Sequence, residues 1–131
     1  MILVTGGAFQ NKKQTSCELF GIAEADVLDG GSCGLEEIFS CRALEKFHLY
    51  VKRYLKAGKE PEKLASELTE KNPQILIVTD EIGYGIVPLE KENRYWREQT
   101  GRICCTLAAQ AETVVRVVAG IPTVIKGEAK C

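Results

Sequence analysis

The chain opens on "MILVT", apolar through Val4 and stopped by Gly6-Gly7, a pattern that predicts a short buried strand. A helix is predicted next, from Lys13 to Phe20, closed near Gly21. "ADVLD" at 25–29 predicts a second short strand, broken by Gly30-Gly31. From Leu35 to Leu55 the apolar residues fall at Leu35, Ile38, Phe39, Ala43, Leu44, Phe47, Val51, Tyr54 and Leu55. That spacing is helical and predicts one long helix with a single broad stripe. "KAGKEP" ends it, and Pro61 suits the first turn of a further helix that runs to Lys71 with Leu64 and Leu68 inside.

"QILIVTD" is an unbroken, β-branched run of the kind that is buried on both faces of a sheet. An irregular stretch, "EIGYGIVPLEKEN", follows with Gly83, Gly85 and Pro88. A helix over 92–110 is predicted to carry Trp96, Thr100, Ile103 and Leu107 on one face. "TVVRVVAG" and "PTVIKG" close the chain as two strands, paired as a hairpin or bent as one edge. Strands alternating with helices predict one α/β domain over residues 1–131. Its sheet is mostly parallel, with helices on both faces and right-handed crossovers. In such sheets ligands bind at the C-terminal ends of the strands. The loops after the first strand and after "ILIVTD" both belong to that edge.

Composition leaves this picture intact and removes alternatives. Of 131 residues, 45% are hydrophobic and 27% charged, as in a globular chain with a real core. Seventeen basic and 18 acidic residues give a net charge of −1, so nucleic acid and anionic membranes are not expected partners. No apolar run is long enough to span a bilayer. The amino terminus does not read as a signal peptide, so the expected location is cytoplasmic. The six cysteines (17, 33, 41, 104, 105 and 131) form no C-x-x-C pair, and reduced thiols are expected rather than disulfides or zinc. Cys104 and Cys105 are adjacent on a predicted helix, one expected buried and the other partly exposed.

The opening loop raises the question of chemistry. A phosphate-binding loop needs G-x-x-x-x-G-K-[ST] between a strand and a helix. Its backbone N–H groups wrap phosphates, its lysine reaches the terminal phosphates, and its hydroxyl binds Mg²⁺. Here Gly6 and Lys12 stand in register, with Gly7 and Ala8 between them. Asn11 replaces the second glycine, and Asn visits positive φ more readily than most residues. Lys13 replaces the hydroxyl, and an ammonium cannot ligate a cation; Thr15 and Ser16 are the nearest hydroxyls. The loop is therefore either an anion site helped by two lysines and a helix N-terminus, or a turn that keeps its glycine for geometry alone. Asp29 ends the second strand either as a further carboxylate of such a site or as a turn former. No metal site is evident.

The stretch 75–127 is more distinctive. It contains Val78-Thr79-Asp80-Glu81-Ile82-Gly83-Tyr84-Gly85-Ile86-Val87-Pro88, then Arg94-Tyr95-Trp96-Arg97-Glu98-Gln99-Thr100-Gly101, and closes on "VVAGIPTVIK". These runs resemble the bifunctional adenosylcobinamide kinase/adenosylcobinamide-phosphate guanylyltransferase family of cobalamin biosynthesis. Gly6-Gly7-Ala8 fits the family's opening more loosely. The resemblance implies a P-loop NTPase-like fold, GTP or ATP with Mg²⁺, a nucleotide and a corrinoid as partners, and a propeller-like homotrimer.

Three departures matter. The loop is degraded at Asn11 and Lys13, and Cys104-Cys105 replace an Asn-Gln pair. The chain is also shorter than the family. The second strand and its following helix are expected to be missing, so that "ADVLD" corresponds to the third strand. The guanylylated histidine goes with that missing segment. The single histidine, His48, does not align with it and is expected on a helix face or core edge. Arg94 and Arg97, three apart, either clamp phosphate oxygens or pair with acidic neighbours such as Glu98. Glu81 is expected to hold a ribose hydroxyl, Mg²⁺ or loop backbone, with Gly83 and Gly85 allowing tight turns beside it. The nucleotide-binding set is therefore Gly6, Gly7, Ala8, Asn11, Lys12, Lys13, Asp29, Glu81, Arg94 and Arg97. The expected function is that of a family member with impaired catalysis, or of a non-catalytic binding or regulatory paralogue.

Overall fold

The computed structural model describes residues 1–82 and 90–128. The glycine-rich stretch with Gly83, Gly85 and Pro88, and Cys131, lie outside the described residues. The elements run β1 (Ile2–Gly6), α1 (Lys12–Phe20), β2 (Val27–Asp29), β3 (Ala43–Glu45), α2 (Phe47–Lys56), α3 (Pro61–Lys71), β4 (Leu76–Asp80), α4 (Lys91–Gln110), β5 (Thr113–Val118) and β6 (Ile121–Lys126). Single 3-10 turns lie at Glu24–Asp26 and Glu37–Phe39.

The six strands form one sheet in the order β2-β3-β4-β1-β5-β6. All pairings are parallel except β5 with β6, an antiparallel hairpin joined by Ala119 and Gly120 at φ 50 and 77. The mostly parallel sheet and the closing edge hairpin agree with the pattern in the sequence.

Alternation along each strand divides the core. Leu3, Leu44, Ile75, Ile77 and Val114 face the layer built by α2, α3 and α4. Val4, Ala43, Leu76, Val78, Val115 and Val117 face the other side, where Leu19 and Phe20 of α1 pack. Among the described residues helices thus cover both faces, three on one and one on the other. On α4, buried Thr100, Ile103 and Leu107 keep the predicted spacing. Helix α1 is different, because its buried residues are Lys12, Thr15 and Ser16. A polar inner face means that hydrogen bonds and an ion pair, more than apolar area, hold its first turns.

One predicted element is overturned. The long helix over Leu35–Leu55 is instead a 3-10 turn, the strand β3 and the shorter helix α2. Lys46, at φ 54, turns the chain sharply between β3 and α2. The stripe misled because a strand buried on both faces also shows adjacent apolar residues. Ala43 and Leu44 point to opposite sides of the sheet, not along one helix face.

Among the described residues every cysteine is a free thiol. Burial pushes the Cys41 thiol up to about 11 and the Cys104 thiol up to about 12, so both stay protonated and inert, while Cys105 is exposed.

The β3–α2 corner is closely packed, and it gives the first prediction. A Cβ on Gly30 would lie 2.6 Å from the Lys46 carbonyl oxygen and 2.7 Å from that of Glu45. Gly30→Ala is expected to cost about 1–3 kcal/mol in urea unfolding. Gly101, within α4, has nothing within 4 Å of its Cβ position among the described residues. Gly101→Ala is expected to stabilise by about 0.5–1 kcal/mol in the same measurement.

Candidate functional site

The site begins with a register. β1 pairs with β4 so that Gly6 lies opposite Asp80, and the Glu81 N–H donates to the Gly6 carbonyl at 2.8 Å. The start of the loop and the end of the most buried strand are thereby fixed side by side. Gly6 is required sterically, since a Cβ there would sit 2.5 Å from the Val117 carbonyl oxygen. A Cβ on Gly7 would meet only the Gln10 side chain among the described residues, at 3.8 Å.

The loop then takes two left-handed residues, Phe9 at φ 58 and Asn11 at φ 64. Asn11 caps α1 from that conformation without a side-chain cap bond. The tip is tied to the β5–β6 turn. The Ala119 N–H donates to Gln10 Oε1 at 2.6 Å, and the Gly120 N–H donates to the Gln10 carbonyl at 3.1 Å. Lys12, the first residue of α1, points its ammonium back into the loop. It donates to the Gly7 carbonyl at 2.6 Å and pairs with Asp80 Oδ1 at 2.6 Å.

His48 completes this cluster. The Asp80 N–H donates to His48 Nδ1 at 3.2 Å, which leaves the ring proton on Nε2, 3.4 Å from Asp80 Oδ2. Burial holds the imidazole below its ordinary pKa despite the pull of the carboxylate. Both nitrogens are turned to Asp80, so the ring positions the carboxylate and offers no free base. The Trp96 indole N–H donates to the His48 carbonyl at 2.7 Å and anchors this end of α2 to α4. His48 is a core-edge histidine, as expected: it is buried in the first turn of α2, against the end of β4.

These groups meet at a cavity of about 290 Å³. Loop residues 8–13 wall one side and Lys46, His48 and Leu49 the other, with Glu45, Val78 and Asp80 contributed by strands. The first turns of α1 and α2 both border it, adding their partial positive charge to three lysines. A larger cavity, about 520 Å³, opens at the opposite sheet edge by Ile2, Leu76 and Thr113 and contains none of the predicted residues.

The predicted residues divide between this cavity and other tasks. Ala8, Asn11, Lys12 and Lys13 line it. Lys13, however, is engaged by Glu45 at 2.9 Å, a hydrogen bond that raises its pKa. The Thr15 hydroxyl faces the Gly120 carbonyl at 3.4 Å, and the Ser16 hydroxyl donates to the Lys12 carbonyl at 2.6 Å. Neither hydroxyl is directed into the cavity. Asp29 lies two strands from β4 and closes a turn: its Oδ1 accepts from the Gly31 N–H at 2.8 Å, the main cause of its lowered pKa. Glu81 is gripped by Arg116 through two bonds of 2.9 and 3.2 Å. Arg94 is exposed in the first turn of α4, and Arg97 is half-buried one turn on.

Sequence reasoning missed Asp80, His48, Lys46 and Gln10 as members of the cluster. Asp80 had a usable signal, an acid ending a doubly buried strand at the ligand-binding edge. His48 and Lys46 had none, because their segment read as a continuous helix. Among the described residues no three His, Cys, Asp or Glu side chains group as a metal site. Both Asp80 oxygens already face donors, and the position of the magnesium-binding hydroxyl is a lysine. The donor set does not fit a magnesium ion of the usual phosphate-loop kind.

Residues 39–125 match the family described as cobinamide kinase / cobinamide phosphate guanyltransferase. That span contains Glu45, His48 and Asp80 but not the loop at 6–13. The chain is 36% identical over 69 residues to the bifunctional adenosylcobalamin biosynthesis protein CobP of Pseudomonas aeruginosa, covering 53% of this chain and 40% of that protein. It is 43% identical over 53 residues to the bifunctional adenosylcobalamin biosynthesis proteins CobU of Salmonella typhimurium and Escherichia coli, covering 40% of this chain and 29% of each. The matched stretches span less than half the length of these curated relatives. No helix among the described residues is long and apolar enough to cross a membrane.

The buried imidazole makes stability depend on pH. Its folded pKa lies below the ordinary 6.5, so below that pH the unfolded chain takes up a proton that the folded chain does not. This contribution lowers stability as pH falls through 6.5. His48→Gln lacks it. The stability advantage of the native chain over His48→Gln, read by urea unfolding, is expected to shrink between pH 8 and pH 5.5.

Proposed function

The chain belongs to the cobinamide kinase / cobinamide phosphate guanyltransferase family, and from that premise we propose that it is a phosphate-loop protein of corrinoid metabolism. In this reading residues 6–13 bind the phosphates of GTP or ATP, and magnesium-dependent transfer is impaired. The observation that carries the reading is Lys12. Its ammonium is held inside the loop by a carbonyl and a carboxylate, at the mouth of a cavity that two helix N-termini border. An incoming phosphate offers the same ammonium a stronger anionic partner than the Gly7 carbonyl.

The same corner supports impairment. Phosphoryl transfer relies on positioning and on neutralising charge, chiefly by Mg²⁺ and the loop lysine. Lys12 serves the second need. The first lacks its hydroxyl, since Lys13 is paired with Glu45 and the nearby Thr15 and Ser16 hydroxyls face backbone carbonyls. These commitments favour a second reading as well, a non-catalytic nucleotide- or anion-binding subunit with a regulatory role. Gly6, Gly7, Ala8, Asn11, Lys12 and Lys13 form the binding loop in both. Asp29 supports neighbouring backbone, Glu81 is paired with Arg116, and neither Arg94 nor Arg97 lines the cavity. The wholly exposed β6, with Ile121, Val124 and Ile125 in solvent, supports assembly into a homo-oligomer, and the cytoplasm is the location this reading expects.

Calorimetric titration with GTP and ATP, with and without Mg²⁺, tests the proposal. Binding is expected in both conditions with affinities within a few-fold of each other, and Lys12→Ala is expected to weaken it about tenfold or more. No binding at millimolar nucleotide overturns the loop reading, and a large gain on adding Mg²⁺ to the native chain overturns the impairment. The double variant Asn11→Gly, Lys13→Ser restores the missing glycine and hydroxyl. It is expected to make nucleotide binding magnesium-dependent.

A further inference from the structure

Phe9 is the one loop residue whose placement the fold does not repay. Its side chain is fully exposed, and its backbone sits at φ 58, a conformation that glycine adopts without strain and a bulky residue does not. The residue is not loosely held. Gln10, next in the chain, is bonded to the Ala119 and Gly120 N–H groups, and Lys12 is bonded to the Gly7 carbonyl, so the loop is fixed on both sides of it. A large aromatic ring kept in water, on a strained and anchored backbone, at the lip of a cavity points to an occupant of that cavity.

The cavity has two chemical ends. Lys12, with Asp80 and His48 behind it, provides the polar end where an anion would sit. Phe9, Ala8 and Leu49 provide apolar lining. We propose that Phe9 receives the base of the nucleotide whose phosphates Lys12 receives. Phe9 is then the residue that separates nucleotides from inorganic polyphosphates. The inference rests on the phosphate-loop reading of residues 6–13 and adds to it the residue that receives the base. Ring stacking on an aromatic side chain is tolerant of base identity, so Phe9 favours a purine nucleotide over a bare phosphate chain without choosing between ATP and GTP.

Inorganic tripolyphosphate, which has the phosphate chain without the ring, separates the two claims when titrated beside ATP and GTP. The native chain is expected to bind the nucleotides about tenfold tighter than tripolyphosphate. Phe9→Ala is expected to remove that advantage and leave tripolyphosphate binding unchanged, and Phe9→Trp, which keeps a ring, is expected to preserve it. Equal affinity of the native chain for all three probes overturns the role of Phe9 and leaves the loop reading standing. An equal loss for all three in Phe9→Ala does the same. Failure of every probe to bind overturns both. Sedimentation of Phe9→Ala covers the other use of an exposed ring: a change in self-association with an unchanged nucleotide-to-tripolyphosphate ratio assigns Phe9 to a contact between copies and overturns the proposal.

Discussion

The contact between Lys12 and Asp80 is the constraint on which this end of the molecule depends. It exists because parallel pairing sets Gly6 beside Asp80, and because α1 starts after a loop tight enough to return Lys12 over that pair. The lysine is 7% exposed and the carboxylate 26%, so much of the Coulombic gain goes to offsetting lost hydration. The pair is therefore better understood as a means of placing an ammonium than as a source of stability. His48 restrains the carboxylate from the far side, and Trp96 restrains the backbone of His48. Four elements, α1, β4, α2 and α4, converge on one charge.

The loop carries its own costs within this arrangement. Two non-glycine residues at positive φ, a glycine pressed against the β5 backbone and a lysine drawn inward are all unfavourable locally. They persist because hydrogen bonds to the hairpin turn and to the β4 end over-determine the path. The buried polar face of α1 has the same origin. A helix that must begin with Lys12, Thr15 and Ser16 inside cannot rely on an apolar stripe, and its N-terminal position at the cavity accounts for the exception.

Charge around the cavity is arranged in pairs rather than left as a positive patch. Lys12 meets Asp80, Lys13 meets Glu45, and Lys46 meets Asp29 at 3.3 Å. Lys13 and Lys46 are substantially exposed, so solvent screens their pairs and an anion can compete for them. Lys12 is shielded, so its pair with Asp80 is the one that solvent screens least. That distinction was invisible in the bare count of lysines.

Much of the fold was legible along the chain. The strands at 2–6 and 76–80, helix α3 opening on Pro61, and the inner face of α4 follow from short-range pattern, because each buries one recognisable set of neighbours. The break between β3 and α2 was not legible. A three-residue strand buried on both sides has no period of its own, and Lys46 in a left-handed turn has no sequence mark. Losing that break also lost His48, whose ring reaches Asp80 across 32 positions of sequence. The sequence by itself determined an α/β sheet with a glycine-bearing loop after the first strand and a lysine in register within it. Only the tertiary structure decided which charges that loop faces. Strand order and register bring Asp80, His48 and Glu45 to the cavity, and pairing across distant elements leaves no trace in local periodicity.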